Sequence, residues 1–315
     1  MPLEFNSKTA VDIVTGIKSM SLKKDKGSSL AFGGQALIEG VMMRSKRYMV
    51  LCVRKPNSNE ILTNVENINP IADKHKLLGL PFLRGIVTLF ETFYLGMKGL
   101  LFSANAALEE EGENSVKFGY KELAVVGAGA LGIIALFLVV PFLLAGLLGL
   151  TGLLFNVLEA LIRLAMFILY LALIASWGEF RRVLQYHGAE HKAINAYEAG
   201  VPLEIANVKR FSRLHPRCGT SFLFIVVIIS IVLFSIMPSA DYVLRFAYRI
   251  LLIPVIASMS YELLRFSGKY RNSAVIKVLT APGLAIQLLT TKEPSDDMLE
   301  VSVKAVREVT KLSTS

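Results

Sequence analysis

Charged and apolar positions segregate into long blocks along this chain. No side chain from Leu123 to Leu158 carries a charge. One membrane span needs about 20 apolar residues, so this stretch is too long for one straight span. Pro141 and the run Gly146 to Gly152 inside it predict two helices joined by a tight turn. The second helix is expected to run past Trp177 into the polar stretch that follows. A third span is predicted over Cys218 to Met237 and, after the turn MPSAD, a fourth from about Phe246 to Phe266 with a kink at Pro254. The expected fold is an α-helical membrane protein with four transmembrane helices in two hairpins, a small cytosolic α+β cap and interfacial amphipathic helices.

Two further apolar segments fall short of a clean span. Leu77 to Leu108 is interrupted by Arg84, Glu91 and Lys98 and weakened by Gly79, Gly85, Gly96 and Gly99, which predicts one or two helices in the headgroup layer, with a reentrant hairpin as the rival. Ala274 to Leu289, broken by Pro282, is similar. The acidic run Glu109 to Glu113 reads as a solvated linker. Nearer the start, YMVLCVRKPNSNEILTNVENI alternates apolar residues on either side of Pro56 and Asn57, a hairpin signal. Gly33 and Gly34 in GGQALIEGVMMR let the backbone approach another surface; they match neither a P-loop nor a dinucleotide fingerprint and predict a tight packing turn. At the far end Ser295 caps a helix with Asp296 and Asp297 in its first turn and Leu299, Val303 and Val306 along one face, suited to packing on the cap.

The partition that follows is a polar tail over 1–30, a hairpin-containing cap over 31–76, and interfacial helices with an acidic linker over 77–122. A first transmembrane hairpin occupies 123–178, a cytosolic helix and loop 179–217, a second hairpin 218–266 and a cytosolic C-terminal segment 267–315.

Composition agrees with a membrane protein: 53% of the 315 residues are hydrophobic and mean hydropathy is +0.53. Collagen-like, disordered and disulfide-scaffold classes are excluded. Cys52 and Cys218 are too few to staple a secreted fold and suit reduced cytosolic thiols. The net charge of +9 is mostly topology. Of 34 lysines and arginines, 16 lie from Lys8 to Lys121, 7 from Arg181 to Arg217 and 8 from Arg265 to Lys311. Basic segments resist translocation, so these three are expected on the cytosolic side, with both termini inside. No signal peptide is expected. The remaining Arg163, Arg245 and Arg249, with Glu159 and Asp241 at helical spacing, suit interfacial anchors on the other side.

The informative chemistry is HGAEH. His187, Glu190 and His191 stand at i, i+3 and i+4 and share one helix face, which gathers two imidazoles and a carboxylate. Neutral histidines ligate Zn²⁺ and an adjacent carboxylate can serve as general base. A third ligand would come from Cys218, His215 or Glu262 at the same level of the bilayer. Two other readings stay open: a buried hydrogen-bond network without metal, and an anion or lipid-headgroup site formed by Arg181, Arg182, Lys192 and Arg217.

GGQALIEGVMMR, YHGAEHKAINAYEAG, SRLHPRCGTSF and PGLAIQLLTTKEP together resemble the YqhQ family of bacterial polytopic membrane proteins, across Phe32 to about Val306. The resemblance implies a multi-pass protein of the bacterial cytoplasmic membrane and, by the family's usual label, a metal-dependent enzyme. Two functions are therefore expected of the residues: a metal-dependent hydrolase with a cytosol-facing site, or a non-enzymatic accessory of membrane-protein insertion that meets translocon, ribosome or anionic lipid through its basic face. Membrane lipids are expected partners and a homo-oligomer is compatible; specific nucleic-acid recognition is not expected.

Overall fold

Four short strands open the described part of the chain: β1 (Gly33–Leu37), β2 (Gly40–Arg44), β3 (Tyr48–Arg54) and β4 (Ile61–Asn67). The computed structural model describes residues 32–55, 58–74, 76–108, 119–236, 241–270 and 273–314. The N-terminal tail, the run Glu109 to Glu113, the turn residues Pro56 and Asn57, and most of MPSAD lie outside the described residues. The strands form one antiparallel meander in the order β1-β2-β3-β4. The anticipated hairpin is β3–β4, with Arg54 opposite Ile61. β1 and β2 replace the turn expected at Gly33 and Gly34: both glycines are extended, and the chain reverses instead at Ile38 and Glu39, where Glu39 takes φ 51°.

Successive strand residues point to opposite faces, and here both faces are covered. Val41, Met43, Val50 and Cys52 join one core with α4 (Gly178–Glu198) and α8 (Asp296–Thr314). Leu37, Met42, Met49, Leu51 and Val53 join a second core with α1 (Leu83–Leu108). Burial on two sides explains why YMVLCVR is apolar at consecutive positions. In α8, Leu299, Val303 and Val306 are buried against this sheet and α4.

The segment expected to hold interfacial helices over 77–108 forms one continuous 26-residue helix, α1, after a short 3-10 turn. Its buried positions are small: Gly85, Gly96, Gly99, Ser103 and Ala106. A Cβ on Gly96 would collide with Gln35, and one on Gly99 would press on Leu37 at 3.2 Å and Leu51 at 3.3 Å. Glycine thus lets the helix lie down on the sheet. Its charges are paired, Glu91 with Arg44 (3.2 Å) and Lys98 with Glu66 (2.5 Å).

The apolar body comprises α2 (Tyr120–Leu147), α3 (Gly152–Ser176), α5 (Gly219–Ser235), α6 (Tyr242–Lys269) and α7 (Ala274–Thr290). α2 packs on α3 across a turn with Gly149 and Gly152 at positive φ, and α5 packs on α6. Four helices among the described residues are long and apolar enough to cross a membrane: Leu83–Leu108, Ala124–Leu147, Gly152–Ser176 and Val243–Ser267. The set differs from the sequence expectation in one member. The third expected span is a helix of 17 residues, α5, and α1 meets the criterion in its place. Pro282 lies within α7 and does not break it. The second hairpin helix also stops earlier than expected, at Ser176, because Trp177 is extended (φ −77°, ψ 124°) and α4 starts afresh at Gly178.

Of the charges expected as interfacial anchors, Glu159, Arg163 and Arg249 are buried instead, while Asp241 is exposed and Arg245 half-buried. Glu159 takes Arg163 (2.6 Å) and Arg249 together, and Asn156 and the Phe137 carbonyl accept from the same two guanidiniums. Phe142, Phe155 and Phe234 present their faces to Arg249. Asp241 caps α6 by accepting from the Leu244 amide (2.9 Å).

Candidate metal centre

Helix α4 is wrapped on nearly every side: Tyr186 and every residue from Gly188 to Ala196 are buried. Two of its positions admit foreign backbone or side chain only because they face glycine. Gly188 leaves room for the Lys292 carbonyl, and the Lys292 amide donates to the Leu184 carbonyl (2.8 Å), so the segment after α7 runs along α4. Glu190 packs directly on Gly34 of β1, where a Cβ would collide with its carboxylate. The helix ends at Gly200, with φ 68°.

The HGAEH residues project from this helix as the spacing predicts. His187 Nδ1 donates to the Thr290 carbonyl (2.8 Å) and its Nε2 meets Cys218 Sγ at 3.1 Å. His191 Nδ1 donates to the Arg213 carbonyl (2.6 Å). A carbonyl only accepts, so both Nδ1 atoms carry hydrogen and both Nε2 atoms turn inward. Cys218 caps α5, its sulfur accepting from the Thr220 amide (3.5 Å). The donor atoms of His187, His191 and Cys218 all lie within 4.8 Å of one another. Around a tetrahedral zinc, bond lengths of about 2.0–2.3 Å put ligand atoms about 3.3–3.6 Å apart, so closure by about an ångström makes a three-ligand set.

Electrostatics tie the group together. Burial works to lower the His187 imidazole, but the neighbouring Cys218 sulfur outweighs it and holds His187 up at about 9. Burial works to raise the Cys218 thiol, and His187 and His191 outweigh that, holding it well below its usual value. Glu190 is raised by burial against the opposing pull of His191 and His187.

His215 sits one layer out. Its ring lies 5.6 Å from that of His191, and its Nε2 is 3.7 Å from Glu198. Its backbone is clamped by Gln287, which accepts from the His215 amide and donates to its carbonyl, both at 2.8 Å, and also donates to Ser221 (2.9 Å). Glu262 is engaged elsewhere: Arg84 binds both its oxygens, at 2.7 and 2.5 Å. Three of the four basic residues of the expected anion site face separate partners. Arg182 forks onto Glu39 (2.5 and 2.6 Å), Lys192 meets Glu293 (2.6 Å), Arg217 pairs with Glu198, and Arg181 is exposed. With Arg182 half-exposed, its fork contributes at most about 1 kcal/mol.

Sequence reasoning missed the two carbonyls that set the tautomers, since a backbone acceptor leaves no residue signature. It also passed over Gln287, whose signal was available: a lone amide in the apolar run LAIQLL.

Helices that fit a multi-pass membrane protein, a small two-faced sheet closed on one side by α8, and a His-His-Cys group at their junction define the class. A family model described as "Protein of unknown function (DUF1385)" matches residues 80–312, and the chain belongs to that family. It is 36% identical over 300 residues to "Uncharacterized protein YqhQ" of Bacillus subtilis (strain 168), covering 90% of this chain and 93% of that protein. No solved structure matches.

Proposed function

We propose that His187, His191 and Cys218 hold a divalent transition metal, zinc by the character of the donors, and that Glu190 serves as general base in hydrolysis of a membrane-associated peptide or lipid. The carrying observation is the convergence of three donor atoms within 4.8 Å, with both imidazoles fixed by Nδ1 to backbone carbonyls. Such outer contacts orient ligating histidines. Two nitrogens and one sulfur suit zinc and leave a fourth position open. A bound zinc would supply Lewis acidity and activation of water. Cys218 and His187 share a proton between Sγ and Nε2, and the cation would take its place. Glu190, whose carboxyl burial pushes above its usual range, is the acid-base group beside the two imidazoles.

The reading places this centre at the cytosolic face. Support comes from 31 of 34 basic residues lying in three segments that flank the apolar helices. In this arrangement α2, α3, α5 and α6 cross as two hairpins. At 17 residues α5 is about 25 Å long, and local thinning of the bilayer accommodates it. α1 lies along the inner surface, because Gly96 and Gly99 face the sheet while Phe90, Phe93 and Tyr94 are exposed.

Elemental analysis of the purified full chain tests the metal. About one equivalent per chain is expected in the wild type and in Arg182→Gln, and none in His187→Ala/His191→Ala. A wild type that carries no transition metal after growth with added zinc overturns the reading, as does a double variant that keeps it.

A second reading, an accessory of membrane-protein insertion, is favoured by the same concentration of basic residues on one side. It requires salt-sensitive sedimentation with ribosomes or translocon, and fails if none is found at low salt.

A further inference from the structure

Where α1 begins beside the end of α6, the surface opens into a groove of about 570 Å³ lined by Phe82, Arg84, Met259, Glu262, Leu263, Arg265 and Phe266. This is within the size range of small-molecule sites. Its wall is apolar except at one end. There Arg84 and Glu262 neutralise each other through two hydrogen bonds. Arg265 is exposed and lies within electrostatic reach of Glu262. Two arginines and one carboxylate therefore leave the groove one net positive charge, carried to the surface by Arg265, beside an aromatic and aliphatic wall.

Phe82 builds part of that wall at a conformational cost. Its φ of 69° is in the left-handed region that a bulky residue avoids. Its carbonyl is held there by the Ser258 hydroxyl, and its ring stays 54% exposed. A Cβ on Gly85, in the first turn of α1, would press on the Ser258 Cα at 3.2 Å and on Tyr261 at 3.3 Å, so glycine there lets α1 close on α6 beside the groove.

The position selects the occupant. Arg265 lies two residues before the end of the apolar stretch Val243–Ser267. With the orientation proposed above, that is the level of the inner-leaflet headgroups, where arginine reaches out to phosphate. We propose that this groove binds an anionic phospholipid, its phosphate on Arg265 and one acyl chain against Phe82, Met259, Leu263 and Phe266. The inference rests on the membrane orientation and not on the metal centre, so either can fail alone.

Native mass spectrometry of the full chain, in detergent with equal phosphatidylglycerol and phosphatidylcholine, tests it. About a fivefold preference for phosphatidylglycerol is expected, since one surface arginine contributes about that factor. Arg265→Lys should keep the preference, and Arg265→Gln should abolish it. Met259→Trp should fill the groove and reduce lipid adducts of both kinds. Arg210→Gln, on the cap, should behave as wild type. The proposal is overturned if Arg265→Gln retains the preference or if glycerol phosphate without acyl chains displaces the adduct. It is equally overturned if the groove is occupied by a second copy of the chain, seen as a lipid-free dimer that Met259→Trp dissociates.

Discussion

The backbone carbonyl of Lys292 rests against Gly188, in the space that any side chain at position 188 would need. The obstacle is main chain and cannot rotate away. The same strand of backbone carries the Thr290 carbonyl that orients His187. Gly188→Ala would ordinarily favour a helix, but here overpacking should win and destabilise the protein by about 1–3 kcal/mol. Thermal unfolding in detergent checks this, with Gly129→Ala, where an added Cβ meets nothing within 4 Å, as a comparison for helix propensity alone.

The His187, His191 and Cys218 group predicts a sulfur ligand. Loading the purified full chain with Co²⁺ should produce a near-ultraviolet thiolate-to-cobalt charge-transfer band. Cys218→Ser should lose the band while Cys52→Ser keeps it. A wild-type cobalt spectrum without that band would remove Cys218 from the ligand set.

The buried cluster of Glu159, Arg163 and Arg249 should be intolerant of losing its one carboxylate. Glu159→Gln leaves Arg163 and Arg249 facing each other, each at most 6% exposed. Removing one partner of a buried ion pair costs about 3–5 kcal/mol. Replacing Glu159 and Arg249 together by leucine and methionine should cost less than Glu159→Gln alone. Denaturant titration in mixed micelles distinguishes the two.

Cys52 should be silent toward maleimides. Burial raises its thiol to about 11, against the opposing Thr63 hydrogen bond. The reactive thiolate therefore appears only as pH rises toward that value, and at pH 8 the thiol form dominates. In a Cys218→Ser background, mass spectrometry should find no adduct at pH 8 until denaturant is added.

Local patterns carried much of this structure in the sequence. The alternation around Pro56 and Asn57 located β3 and β4, and the i, i+3, i+4 spacing placed His187, Glu190 and His191 on one face. The prediction that a glycine of the GG pair meets another surface is met by Gly34 against Glu190, although in a strand rather than a turn. What failed was long-range. Nothing local distinguishes a glycine-rich helix on lipid from one on a sheet, so the partners of Gly96 and Gly99 were invisible. Glu159 and Arg249 are 90 residues apart, and helical spacing alone assigned Arg163 and left Arg249 over. Glu262 was grouped with the histidines by its expected depth, whereas contact with Arg84 depends on where α1 begins.

Met43 and Val50 share a core with Val303 and Val306. The apolar helices are thus threaded through the middle of a domain whose two halves leave the ribosome some 250 residues apart. During synthesis the early strands must wait, half covered, until every hydrophobic helix has been delivered to the bilayer and the last nineteen-residue helix emerges. Under the topology proposed above, closure of that domain requires the sheet and this last helix to lie on one side of the bilayer, and a chain that threads otherwise cannot complete it.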